Sequence, residues 1–208
     1  MSRSNGSRTE AYRGIKRVFD VLVSAIGLLV LSPLLSLLAG VVRLTSRGPI
    51  FYASRRVGLH GKPFNMVKFR TMVTGADTMG PLVTAGDDPR ITSIGRYLRR
   101  TKLDELPTLW NVLKGEMSIV GPRPENPQSA ALYTEAQQHV WTVRPGITSL
   151  ATLKYRHEER LLAGVPNVEA AYVHLMQDKL ALELEYVERQ SFGLDLRIIV
   201  QTLWAVLR

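Results

Sequence analysis

The sequence predicts a mixed, helix-rich α/β chain. It opens with an N-terminal re-entrant membrane helix-break-helix, followed by a small cytoplasmic domain with a short sheet and interfacial amphipathic helices. Three observations predict this. A run of 22 residues without charge, Val21 to Val42, is interrupted by Ser32-Pro33 and bracketed by basic residues. Two segments of period-two alternation follow it. The rest of the chain places apolar residues at helical spacing. With 208 residues there is room for one ordinary domain and a small appendage. The boundaries read as a basic N-terminal tail at 1–17, a membrane hairpin at 18–44 broken at Ser32-Pro33, and a domain at 45–208 ending in an interfacial helix.

Charge sharpens the first element. Residues 1–76 carry twelve Lys or Arg against two acids, whereas residues 77–208 are nearly balanced, with fifteen against sixteen. The whole basic excess therefore flanks the apolar run, which marks a membrane surface ahead of a nucleic-acid patch. An unbroken helix over the run would reach about 33 Å, enough for the hydrocarbon core. Three readings compete. A signal peptide lacks an A-x-A cleavage site after the run. A single span would kink at Pro33; a re-entrant hairpin would turn there, because proline removes a donor and disfavours helical geometry just before it. Arg13, Lys16 and Arg17 precede the run, Arg43 and Arg47 follow it, and no acid occurs between Asp20 and Asp77. The positive-inside bias thus puts both ends in the cytoplasm. Each arm is about 18 to 21 Å long, too short to cross but suited to one leaflet.

Pro49 to Arg70 reads as two strands, IFYASRRV and PFNMVKFR, joined through Gly58–Lys62. Alternation places Lys68 and Arg70 side by side on one face, either as a solvated edge or as a phosphate clamp. Thr71 to Arg90 is a polar loop rich in Gly and Pro. Helices are expected over 91–100, carrying Arg96, Arg99 and Arg100, and over 104–114, carrying the stripe Leu106, Leu109, Trp110 and Leu113. A strand at 117–120 leads into Gly121-Pro-Arg-Pro124, and a further strand is expected over 147–154. Helix fills 168–190. In the last helix, Leu196, Ile199, Val200, Leu203, Trp204 and Leu207 form a stripe, with Asp195, Arg197 and Gln201 elsewhere around it. That stripe suits either a membrane interface or the domain core.

No cysteine is present, which excludes disulfides, Cys zinc sites and a thiol nucleophile. The most suggestive chemistry is the adjacent pair Asp104-Glu105. Thr101-Lys-Leu-Asp104 also fits a capping box, but Pro107 would then need an amide it lacks, so a helix start near Leu103 or Asp104 fits better. Two consecutive carboxylates ionise together only where cations or a metal offset their repulsion. Arg96, Arg99, Lys102 and Arg123 could supply that and hold a polyanion, with Mg2+ bridging carboxylate and phosphate oxygens. Such a carboxylate serves as metal ligand, general base or nucleophile. Arg123, between two prolines, is held at low entropic cost or is simply a solvated turn residue.

The string RRTKLDELPTLWNVLKGEMSIVGPRPE, from Arg99 to Glu125, resembles the signature block of the bacterial sugar transferases, the monotopic phosphoglycosyl transferases. The likeness extends to the Ser32-Pro33 break, GKPFNMVKFRTM, RPGIT and, more weakly, the tail LALELEYVERQSFGLDLRIIVQTL. The short chain is similar to the minimal single-domain members. The resemblance implies a catalytic domain on the cytoplasmic face of the bacterial inner membrane, which moves a sugar phosphate from a UDP-sugar to a polyprenyl phosphate and releases UMP. It implies that Asp104 is the nucleophile forming an aspartyl-phosphosugar, that Glu105 is its partner, and that both serve Mg2+. It assigns substrate contacts to Lys68, Arg70, Arg99, Arg123 and Arg156. The expected partners are the UDP-sugar, the polyprenyl phosphate and the phospholipid bilayer, with a homodimer compatible. Nucleic acid is not expected, since no recognition motif or stacking platform is visible. Glu116 stands where the family usually has Asp, and SLATLKYRHEE after RPGIT departs from the commoner Gly-containing run. A non-catalytic single-span protein with a ligand- or partner-binding domain is the alternative.

Overall fold

The computed structural model describes residues 3–80, 88–163 and 165–207. In chain order these form α1 (Arg3–Val30), α2 (Ser32–Thr45), β1 (Phe51–Val57), β2 (Pro63–Phe69), α3 (Ser93–Thr101), α4 (Leu109–Lys114), β3 (Ser118–Val120), α5 (Pro127–Ala130), β4 (Gly146–Thr148), α6 (Leu150–Lys154), α7 (Glu158–Leu161), α8 (Val168–Arg189) and α9 (Phe192–Leu207). The mixed, helix-rich class is as expected, although the sheet is two separate ribbons: β1 with β2 antiparallel, and β3 with β4 parallel. Part of the expected polar loop, residues 81–87, lies outside the described residues.

The N-terminal segment is helical from Arg3, so the expected tail continues directly into the apolar run. The break falls at Leu31, one residue before Ser32-Pro33, because proline is accommodated in the first turn of α2, where its missing amide costs nothing. Backbone bonding nearly bridges it: Leu31 N donates to Gly27 O at 2.9 Å and Leu35 N to Leu31 O at 2.8 Å. Among the described residues no single helix is long and apolar enough to cross a membrane, and the two arms are bent by 62°.

Both arms pack on the same domain. Asp20 is buried on α1 and accepts the Ile119 amide of β3 at 3.0 Å, while Arg17 donates to the carbonyls of Val112 and Leu113 at the end of α4. On α2, Leu38 and Val42 enter a cluster with Phe69 and Leu98. The outer faces stay exposed, with Leu22, Ile26, Leu29, Val30, Leu37 and Leu44 uncovered.

A second cluster, built on Met66, Val112, Met117, Val120, Tyr186 and Ile198, joins β2, α4, β3, α8 and α9. Asn111, fully buried, staples α4 to β2: it accepts the Val67 amide at 2.9 Å and donates to Asn65 O at 2.7 Å. The strand expected over 147–154 stops at Thr148, because Ser149 caps a short helix by accepting the Thr152 amide at 3.0 Å. In α9 most of the apolar stripe faces outward: Leu196, Val200, Leu203 and Trp204 are exposed, Ile199 packs against the core, and the Leu207 side chain lies outside the described ones, while Ile198 and Asp195 are buried. Asp195, off the apolar stripe as expected, accepts from Tyr12, Lys16 and Tyr186.

Candidate active site

Thr92 caps α3 by accepting the Gly95 amide at 3.0 Å, and the helix ends at Lys102, a left-handed residue with φ of 59°. The reversal starts a tight 3-10 turn, Leu103–Thr108, with Asp104 and Glu105 at its head and Pro107 inside it. Thr101 is the last residue of α3 and donates its hydroxyl to Tyr97 O at 2.9 Å, which rules out the capping box. The helix expected from 104 becomes α-helical only at Leu109.

Glu105 is clamped. Its Oε1 accepts from Lys68 Nζ at 2.7 Å and from Arg123, and its Oε2 accepts Arg123 Nη1 at 2.7 Å. Burial raises its carboxyl, but Arg123 and then Lys68 outweigh that and hold it well below the usual carboxylate range. Asp104 differs. It is 7% exposed, and its Oδ1 is buried without a hydrogen-bond partner among the described residues. Burial first, then the Glu105 charge, push its carboxyl up to about 6, against the smaller pull of Lys68, Lys102 and Arg99. One acid of the pair is thus tied to cations, and the other is left with an open oxygen.

Arg123 is aimed by a backbone crossing. Gly121 N donates to Thr148 O at 3.1 Å and Gly146 N to Pro122 O at 2.9 Å. A Cβ on Gly146 would stand 2.1 Å from Gly121 N, so only glycine permits the approach between RPGIT and the Pro-Arg-Pro turn. From α8, Glu183 completes the fixture: its Oε1 accepts the Arg123 amide at 3.0 Å and the Ser149 hydroxyl at 2.7 Å. Burial raises this carboxyl to about 7. Sequence reading missed Glu183, because an acid in LALELEYVER resembles a solvated helix face.

The structure brings together Asp104, Glu105, Lys68 and Arg123, with Arg99 near enough to act on Asp104. It separates Arg70 and Arg156 from their contacts. β2 ends at Phe69, so Arg70 leaves the alternation, and its Nη2 donates to Ser46 O at 2.8 Å and Ser46 Oγ at 2.7 Å. Arg156 is exposed, donating to His157 at 3.0 Å and to Ala205 O of α9 at 3.2 Å. Glu116 supports Asn111, accepting its Nδ2 at 2.7 Å. Among the described residues no three acidic or histidine side chains converge on a metal position. The donor set still fits a hard cation such as Mg2+, which binds through one or two carboxylates plus substrate phosphates and keeps several waters. The unpartnered Asp104 Oδ1 is the available oxygen.

The family model described as bacterial sugar transferase matches residues 11–208. The chain is 40% identical over 195 residues to the undecaprenyl-phosphate glucose phosphotransferase of Komagataeibacter xylinus, covering 90% of this chain and 35% of that one. It is 39% identical over 193 residues to the uncharacterized sugar transferase EpsL of Bacillus subtilis, covering 93% and 87%. It is 38% identical over 200 residues to the UDP-glucose:undecaprenyl-phosphate glucose-1-phosphate transferase of Caulobacter vibrioides, covering 92% and 69%. The chain thus spans about a third of the first relative and most of the other two. A match over nearly the whole length, including the acidic pair and its arginine turn, makes this chain a member of the bacterial sugar transferase family.

Proposed function

We propose that this protein transfers a sugar 1-phosphate from a UDP-sugar to a polyprenyl phosphate of the undecaprenyl class, releasing UMP, as the first membrane step of glycoconjugate assembly. The observation that carries the reading is the asymmetry of the pair: Glu105 is locked to Lys68 and Arg123, while Asp104 keeps an unpartnered oxygen.

With a carboxyl near 6, Asp104 is mostly ionised at neutral pH and still basic enough to attack. Its oxygen attacks the phosphorus that carries the sugar; the bond from that phosphorus to the bridging oxygen breaks, and UMP leaves with the electron pair. A phosphate oxygen of the polyprenyl carrier then attacks the same phosphorus, the acyl phosphate bond breaks, and Asp104 is restored as polyprenyl-diphosphate-sugar departs. Dividing the transfer lets a soluble donor and a lipid acceptor use one cradle in turn. Arg123 and Lys68 hold Glu105 in place and present positive charge to the diphosphate. Arg99, half-buried at the end of α3, adds to that field. Mg2+ bound at Asp104, with Glu105 beside it, would neutralise phosphate charge and steady the leaving group.

The bend supports a shallow membrane placement. If the two arms enter and leave by one face, each is inclined at half of 62°, and the apolar part of α1 sinks about 8 Å, within one leaflet of about 15 Å. The exposed apolar residues of both arms and of α9 would then be available to lipid, and the basic flanks of the arms favour the cytoplasmic face of the inner membrane for the domain. Both arms being fastened to one domain supports this over a single crossing.

The test is intact-mass analysis of the protein incubated with Mg2+ and individual UDP-sugars, without acceptor. A phospho-sugar adduct is expected on Asp104, discharged by undecaprenyl phosphate and missing in Asp104→Ala. Turnover without any adduct, or undiminished turnover in Asp104→Ala, refutes the reading.

A further inference from the structure

At the start of β3, at the opposite end from the turn that carries Arg123, a cavity of about 130 Å³ opens between α1 and the loop before β4. Arg13, Lys16, Arg17 and Arg144 line it, together with Asp20 and Ser118. It is several times larger than one water requires.

The charges around it do not balance. Lys16 is matched by Asp195 at 2.7 Å, and Asp20 gives one oxygen to the Ile119 amide. Arg17 donates to Val112 O at 2.7 Å and Leu113 O at 3.0 Å, and Arg144 Nε donates to Gly115 O at 2.9 Å. Those three acceptors are neutral carbonyls at the end of α4. Four cations therefore line the cavity beside one carboxylate, Asp20, and Asp195, outside the lining, offsets only Lys16. Arg144 is drawn below its ordinary value by burial and then by Arg17, as two like charges held together require. The carbonyl bonds fix both guanidinium groups in advance, so an incoming anion need not order them.

We propose that this cavity is a second anion site, which takes a phosphate mono- or diester through Arg13, Arg17 and Arg144. A phosphate carries about −1 to −2, the charge that would close the imbalance. Arg13 and Arg17 stand one to two helical turns before Val21, where the apolar run begins, so the phosphate belongs either to a lipid headgroup or to a free anion. The inference rests on this cavity alone and does not depend on the phosphosugar chemistry.

The experiment uses the full chain in an Asp104→Ala/Arg123→Gln background with chelator present, so that the acidic pair does not report. Inorganic phosphate is titrated by calorimetry in neutral detergent. Lipid retention is read by native mass spectrometry from nanodiscs of phosphatidylcholine with phosphatidylglycerol. Phosphate binding that weakens about tenfold or more on adding Arg13→Gln/Arg144→Gln assigns a free anion. Phosphatidylglycerol retention abolished by the same pair, without phosphate binding, assigns a headgroup. Because Arg144 also supports Gly115, Arg13→Gln alone, at an exposed side chain, must shift the result in the same direction with the melting temperature unchanged. No binding of either probe, or binding indifferent to these substitutions, overturns the proposal.

Discussion

Asp104→Asn should abolish the adduct and, at neutral pH, make the protein more stable. The Asp104 carboxyl stands at about 6 in the fold against 3.8 unperturbed. At about 1.4 kcal/mol per unit, the ionised side chain forfeits roughly 3 kcal/mol of stability, an order of magnitude supported by its 7% exposure. Because the folded value is the higher one, the native state binds the extra proton between about pH 4 and 6, and stability contributed by Asp104 falls as pH rises through that window. Asparagine keeps the shape without the charge. The assay is thermal melting of wild type and Asp104→Asn in one detergent from pH 4 to 8. The two curves should coincide near pH 4 and part by about pH 7, the variant melting roughly 6 to 12 °C higher for a chain of this size. A gap that does not change with pH, or a variant that melts lower at pH 8, refutes the assignment of Asp104 as a charge held against its environment.

Three further outcomes follow. Glu105→Gln leaves Lys68 and Arg123 without their counter-charge, so it should cost about 3 to 5 kcal/mol in denaturant unfolding, and it should shift the rising limb of the pH–rate profile below its wild-type position near 6, since the Glu105 charge helps to raise Asp104. Glu183→Gln should show the same kind of stability gap as Asp104→Asn, displaced about one pH unit higher because that carboxyl is raised to about 7. Gly146→Ala forces apart the crossing with Gly121 and should abolish both turnover and a cooperative melt, whereas Gly14→Ala, where an added Cβ meets nothing within 4 Å, should melt like wild type.

Patterns confined to a few neighbouring residues were legible in the sequence. The alternation of 51–57 and 63–69 appears as the β1–β2 ribbon, and Pro33 marks the bend to within two residues. Pro107 correctly argued against Thr101 as a cap. What escaped was decided by distant partners. Lys68 and Arg70 read as a pair, yet β2 ends between them, and one reaches Glu105 while the other reaches Ser46. Nothing near Asp195 in the sequence signals its role, because it collects Tyr12 and Lys16 from 179 or more positions away. Glu183 and Asn111 gave no local signal, since their roles exist only once α8 meets the arginine turn and α4 meets β2. The Asp104-Glu105 pair was visible as a motif, whereas the division of labour within it needed the surrounding cations in place.

The bond from Asp20 to the Ile119 amide has a practical consequence. Trimming the chain to a water-soluble catalytic fragment would strip away that acceptor together with Leu38 and Val42, leaving an orphaned donor in the interior and an opened wall beside Phe69. Folding of the two N-terminal arms and of the catalytic body is therefore coupled, and neither reaches its native packing without the other.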